Sequence, residues 1–204
     1  MKKVLLLVEG QTEEKFVKDM LRRHFNAKQI YLMPILIGGR IRYSKLKKEI
    51  QNLLRDSSAD CVTTMIDFYA MDSNCPGRAA PQGRTAREKA AFVEQELSKD
   101  INHLKFKPYI SVYEFEALLF SEPKILSAKP GVPVEKITAI TEQYASPEDI
   151  DDSPTASPSH RIESIYPGYP KIRFGYEISS EIGLPVIRIK CPHFNDWLTT
   201  LENL

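Results

Sequence analysis

The sequence predicts an α/β fold: a mostly parallel, four-stranded sheet with helices on both faces and a helical extension at the C-terminal end. Three observations predict it. Short apolar runs alternate with segments of helical periodicity from Lys3 to Val112. The runs are continuous rather than alternating, as strands buried on both faces require. Beyond Tyr113 the alternation stops and the chain turns to helix and Pro-rich loop.

Lys3–Val8 is the first strand, broken by Glu9-Gly10-Gln11. Thr12 is a good N-cap, Glu13 and Glu14 suit the positive end of a helix, and Phe16, Val17, Met20, Leu21 and Phe25 follow at helical spacing. A helix over Glu13–Phe25 follows. Ile30–Ile37 is the second strand, closed by Gly38-Gly39, and Tyr43–Leu54 the second helix, with Leu46, Ile50, Leu53 and Leu54 on one face. Cys61–Ile66 is the third strand and ends at Asp67; the Gly- and Pro-rich stretch Tyr69–Arg84 is a loop. Thr85–Lys99 is the third helix and Phe106–Val112 the fourth strand. After it, Glu116–Phe120 looks helical, Pro147–Pro170 looks like an extended loop, and Ile172–Ile182 and Phe194–Leu204 look helical.

The 204 residues suit one domain. It divides into a core over 1–120 and an extension over 121–204 packed on it. A net charge of +1 gives nucleic-acid binding no support from charge alone. Three widely spaced cysteines, Cys61, Cys75 and Cys191, argue against a disulfide framework or a structural zinc site. The apolar run Val4–Val8 is too short for a signal peptide, and no stretch approaches the roughly 20 apolar residues of a membrane span. A cytoplasmic protein without a membrane segment is expected.

Open parallel sheets bind ligands beyond the carboxyl ends of their strands. Glu9 and Asp67 both stand just past such ends. A carboxylate followed by Gly10 sits where backbone can approach a phosphate or a metal ion; the plainer reading is a capped polar turn. Hard divalent cations take carboxylate oxygens, and two acids from neighbouring strands supply them. Asp72 adds a ligand only if its loop folds back. In Glu114-Phe115-Glu116 the acids lie two apart, so on a helix one faces the site and the other does not. Gly38-Gly39-Arg40 offers backbone N–H groups and a cation to an anion, or is a simple glycine turn. Ser159, Arg161 and Lys171 belong to a basic lobe that would hold phosphates, or to a solvated face. His160 and His193 lack the spacing of a zinc pair. Gly-x-x-x-x-Gly-Lys-[Ser/Thr], Gly-x-Gly-x-x-Gly and Gly-x-Ser-x-Gly are all absent.

Leu6-Leu7-Val8-Glu9-Gly10-Gln11-Thr12-Glu13 resembles the opening motif of Toprim domains, found in topoisomerases, primases and the overcoming-lysogenisation-defect nucleases. With Ile66-Asp67-Phe68-Tyr69, Glu114-Phe115-Glu116-Ala117-Leu118-Leu119-Phe120 and Cys191-Pro192-His193-Phe194-Asn195-Asp196-Trp197-Leu198, nearly the whole chain resembles domain of unknown function 4276, a Toprim-like bacterial family. The resemblance implies a Toprim-like, Rossmann-like sheet. It implies that Glu9 acts in acid–base chemistry or metal binding, and that Asp67 is the first acid of an Asp-x-Asp that binds magnesium. Tyr69 stands at the second acid position, a departure that counts against the usual two-metal arrangement. Glu116 or Glu114 would substitute. The implied activity is Mg2+- or Mn2+-dependent cleavage of nucleic acid, with Glu9, Asp67 and Glu116 catalytic, and Gly10, Gly39, Arg40, Ser159, Arg161 and Lys171 holding the strand. An ATPase partner in phage defence is implied by analogy. The competing readings are a non-catalytic nucleic-acid-binding or regulatory module and an enzyme of small phosphoesters. Oligomeric state stays open.

Overall fold

The computed structural model describes residues 1–38, 41–150 and 156–204. Its centre is a sheet of β1 (Lys2–Val8), β2 (Ile30–Leu36), β3 (Cys61–Asp67), β4 (Phe106–Lys107) and β5 (Ile110–Ser111). The order is β2-β1-β3-β4, β5 also lies against β3, and every pairing is parallel. Four strand lines result, as predicted, but the fourth is split. Pro108 has no N–H to give a ladder. The Thr64 hydroxyl bridges the gap instead, donating to Tyr109 O at 2.8 Å and accepting from Tyr109 N at 3.0 Å.

The alternating faces of β1 feed two cores. Leu5 and Leu7 join Leu46 and Ile50 of α3 (Tyr43–Leu54) and Ala90, Val93 and Leu97 of α4 (Ala86–Ile101). Val4, Leu6 and Val8 join Phe16, Val17, Leu21 and Phe25 on the other side. Those four come from α1 (Gln11–Phe16), a π-helical stretch Val17–Leu21, and α2 (Arg22–Asn26), which run on from one another. All of Val4–Val8 is at most 3 % exposed, and each such side chain contributes roughly 1.5–3 kcal/mol by leaving water.

Helix α1 starts earlier than Thr12 suggests. Gly10 is its N-cap, and its N–H donates to Glu13 Oε2 at 2.9 Å; Thr12 is buried instead. At α4 Thr85 is the cap rather than the first helical residue, with Glu88 N donating to Thr85 Oγ1 at 3.1 Å.

The expected helix at Glu116–Phe120 is a 3-10 segment, Phe115–Ser121. Beyond it lie α5 (Pro123–Ala128), α6 (Val134–Thr141), a 3-10 turn Pro147–Asp149, α7 (Pro158–Ile165), α8 (Lys171–Ile182), α9 (Leu184–Lys190) and α10 (Pro192–Glu202). The stretch expected as extended loop therefore contains α7. Its prolines mislead, because Ser157 caps α7 and Pro158 occupies its first turn, where a missing N–H costs nothing. Phe174, Ile178, Ile187, Phe194 and Leu198 bury into the same core as β1, so the extension forms one face of the sheet's packing.

The last predicted motif pins α10 to the core. Glu148 accepts from His193 N and Phe194 N, both at 2.9 Å, satisfying the helix's first free donors. Trp197 Nε1 donates to Thr63 Oγ1 at 2.9 Å, and its ring stacks on Tyr109 with centroids 4.3 Å apart.

Candidate functional site

Because β1 and β3 are neighbours with Val8 opposite Met65, Glu9 and Asp67 leave the sheet at the same end. The Glu9 backbone is held on both sides: its N–H donates to Met65 O and its carbonyl accepts from Gly38 N, each at 3.3 Å. Its side chain crosses to the next strand, where Oε2 accepts from Asp67 N at 3.1 Å. Asp67 is 5 % exposed, and its Oδ1 accepts from Phe115 N at 3.1 Å. That bond sets the start of the 3-10 segment and aims Glu116, fully buried, at the same place.

Glu114 and Glu116 divide as their spacing suggests. Glu114 turns to α7 and accepts from Ser159 N at 2.8 Å. Among the described residues, neither oxygen of Glu116 has a hydrogen-bond partner; Lys171 Nζ, 43 % exposed along its side chain, forms an ion pair with its Oε2 at 3.2 Å. Lys171 opens α8, which comes unusually near α1. A Cβ on Gly175 would stand 2.8 Å from Thr12 Cγ2 and 3.2 Å from Phe115 Cε1, so the glycine sets that approach. The hydroxyl of Tyr169, also buried without a hydrogen-bond partner, lies in the field of Glu116.

One member of the site escapes the sequence reading, and a second stands elsewhere than expected. Glu13 looks like a solvated first-turn acid but is 4 % exposed and electrostatically coupled to Glu9 and Asp67. A glutamate three residues after a glycine cap is the signal that points to it. Lys171 is expected on a phosphate-binding face but stands among the acids.

Burial pushes the carboxyls of Glu9 and Glu13 up. Asp67 is pushed well up by burial and then by Glu13, Glu9 and Glu116. Burial raises Glu116 to about 7 despite Lys171. Burial opposes the charge of Lys171, but Glu116 and Asp67 outweigh it and hold its ammonium more firmly than usual. Groups shifted together at a strand-end mouth mark a functional site more often than a structural one.

The other expected residues have internal partners. The Gly10 N–H is committed to Glu13 and that of Ser159 to Glu114. Arg161 donates from Nε to Ala156 O at 2.7 Å and from a terminal nitrogen to Tyr144 Oη at 2.9 Å, so it ties the extension together. Asp72 accepts from Tyr43 N at 3.3 Å and Asn74 N at 3.2 Å and serves the local turn. Gly39 and Arg40 lie outside the described residues.

Among the described residues, no three His, Cys, Asp or Glu side chains are arranged to hold a metal ion. The donor chemistry nevertheless fits a hard cation: only carboxylate oxygens, two of them buried on Glu116 without hydrogen bonds.

Beside the acids, Tyr69 and Tyr113 stack with centroids 5.7 Å apart and planes 26° apart. Tyr113 has φ +68°, a left-handed conformation that costs a non-glycine residue about 1–3 kcal/mol and concentrates at functional sites.

A parallel sheet whose first and third strands end in acids, closed over by a helical extension, defines an α/β protein with its candidate site at the strand ends. The structure is similar over 98 % of this chain and 97 % of the other to the C-terminal region of the Burkholderia pseudomallei OLD protein, with a TM-score of 0.50 and 14 % identity. The chain belongs to the family described as domain of unknown function (DUF4276), whose model matches residues 8–202. No curated protein matches it. Among the described residues, no helix is long and apolar enough to cross a membrane.

Proposed function

We propose that the protein cleaves phosphodiester bonds in nucleic acid with the help of Mg2+ or Mn2+. The observation that carries this is Glu116: a fully buried carboxylate paired only with Lys171 among the described residues, in the electrostatic field of Asp67, Glu13 and Glu114. An acid cluster under that much mutual strain is relieved by a divalent cation.

Glu9, Asp67 and Glu116 would hold the ion, with Glu13 beside them and Glu114 at the rim. When bound, it would supply charge neutralisation at a non-bridging phosphate oxygen, a more acidic water and stabilisation of the leaving oxygen. Where Asp67 and Glu116 hold the ion without it, Glu9 serves instead as general base: its carboxylate takes a proton as the water oxygen bonds to phosphorus and the ester P–O bond breaks. The hydrogen bond from Asp67 N orients Glu9, and that from Phe115 N orients Asp67. Lys171 would release Glu116 to the ion and keep its positive charge at the same mouth, near the phosphate. Cytoplasmic action together with an ATPase partner in phage defence is part of this reading, by analogy of fold.

A second reading has specific support. Tyr69 replaces an acid, and Lys171 already neutralises part of the cluster, which suits a nucleic-acid-binding or regulatory module without catalysis. Titration calorimetry with Mn2+ separates the two. The nuclease reading expects uptake that Asp67→Asn abolishes, and Mn2+-dependent cutting of plasmid or single-stranded DNA. Heat-silent titrations and uncut DNA would leave the binding module.

A further inference from the structure

We infer that two neutral hydroxyls, those of Ser111 and Tyr169, hold the water molecules that a divalent ion keeps when it binds at Asp67 and Glu116. They are positioning residues for the ion. This rests on the metal-binding part of the reading above and adds to it two residues that carry no charge.

Both hydroxyls are buried, and among the described residues neither has a hydrogen-bond partner. Ser111 ends β5 directly opposite Asp67 on the neighbouring parallel strand. The residues just before them, Ile66 and Ile110, both pack into the core under α3 and α4. Side chains alternate along a strand, so Asp67 and Ser111 both face the other way, toward α8. Tyr169 reaches the same side from the turn that leads into α8. Its hydroxyl lies 3.9 Å from where a Cβ on Gly175 would stand, in the contact with Thr12 and Phe115. Gly175 is one helical turn beyond Lys171, the ion-pair partner of Glu116. Glu116 in turn acts on the Tyr169 phenol.

A buried hydroxyl without a partner is costly and uncommon in a folded chain. Here two of them flank Asp67 and Glu116, and both oxygens of Glu116 are unbonded as well. The hydroxyls neighbour carboxylates without bonding to them, and polar groups that stand apart in this way are commonly joined by a water. Carboxylates alone would suffice for an ion stripped of water. Mg2+ sheds its waters reluctantly and usually keeps several, and those waters must donate to something. A hydroxyl is suited to that place because it accepts from an ion-bound water and still donates to a carboxylate. Ser111 would serve Asp67 in this way, and Tyr169 would serve Glu116. With Tyr69 in place of a second acid, the ion meets fewer charged oxygens and keeps more water, which makes such anchors more important.

The test is Mn2+ calorimetry together with metal-free thermal melting of the wild type, Ser111→Ala, Tyr169→Phe and Asp67→Asn. Both hydroxyl variants are expected to bind Mn2+ roughly tenfold or more weakly, as loss of an outer-shell partner does. Without metal they are expected to melt at or above the wild-type temperature, since each removes a buried group that has no partner. A hydroxyl that only supports the fold would lower the melting temperature too. Weaker Mn2+ binding accompanied by a lower metal-free melting temperature therefore overturns the inference, and so does wild-type Mn2+ affinity in either hydroxyl variant. Uptake that Asp67→Asn abolishes but the hydroxyl variants keep ends the inference alone and leaves the metal reading standing. No uptake by the wild type ends both.

Discussion

Replacing Glu116 by Gln removes one charge and almost no volume from the most deeply buried acid of the cluster. Its carboxyl ionises at about 7 in the fold, against 4.5 as an ordinary glutamate. Ionising it therefore costs about 3 kcal/mol more in the folded chain than in the unfolded one. The folded state binds the extra proton between pH 4.5 and about 7, so stability falls as pH rises through that window. Below the window both states are protonated and the penalty is absent; above it the penalty is complete. Glu116→Gln loses the ion pair with Lys171, but that side chain is 43 % exposed and returns to water at little cost. At pH 8, without metal, the variant is expected to melt roughly 5–10 °C higher, since each kcal/mol moves a chain of this size by about 2–4 °C. At pH 4.5 the difference is expected to vanish. Thermal melts by circular dichroism at both pH values give the answer. A variant less stable than the wild type at pH 8, or a gain independent of pH, would refute the account of a strained, unsatisfied carboxylate. The same substitution is expected to weaken Mn2+ uptake, so that stability and function move in opposite directions.

Two other substitutions probe how the site is held. Gly175→Ala gains about 1 kcal/mol of helix preference but forces a methyl against Thr12 and Phe115, and overpacking costs about 1–3 kcal/mol. A lower melting temperature is expected, with weaker Mn2+ binding as α8 and Lys171 shift; unchanged melting and metal affinity would show that the close approach does not matter. Thr63→Val leaves the Trp197 N–H buried without its acceptor, at a cost of about 1–3 kcal/mol. Trp197 is the sole tryptophan of the sequence, so fluorescence-detected urea unfolding reads the loss directly, and an unshifted midpoint would count against the bond.

What was legible in the sequence follows from locality. The continuous apolar runs of β1 and β3 end in Glu9 and Asp67, so strand and candidate ligand announce each other. The amphipathic stripe of α3 gives its bounds as Tyr43–Leu54, and the structure agrees. The fourth strand was expected unbroken over Phe106–Val112; neither its split at Pro108 nor the repair by Thr64, some 45 residues away, was foreseen. Glu13 looks like a surface charge because nothing in its neighbours says what covers it. Its burial, and the place of Lys171 at the acids, are decided by α8 settling on α1, a contact between segments more than 150 positions apart in the sequence. In the extension α8 and α10 were legible from their periodicity, whereas α7 and α9 were hidden because Ser-Pro and Gly-Leu-Pro sequences serve equally as loops and as helix starts.

A proline weakens each border of the sheet as a template for further strands. On β2, Ile37 N donates inward to Val8 O, and alternation turns the nitrogen of Pro34 outward, where it has no hydrogen to offer. On the opposite border Pro108 interrupts the rungs. Stacking of copies edge to edge into fibres is therefore disfavoured at both borders.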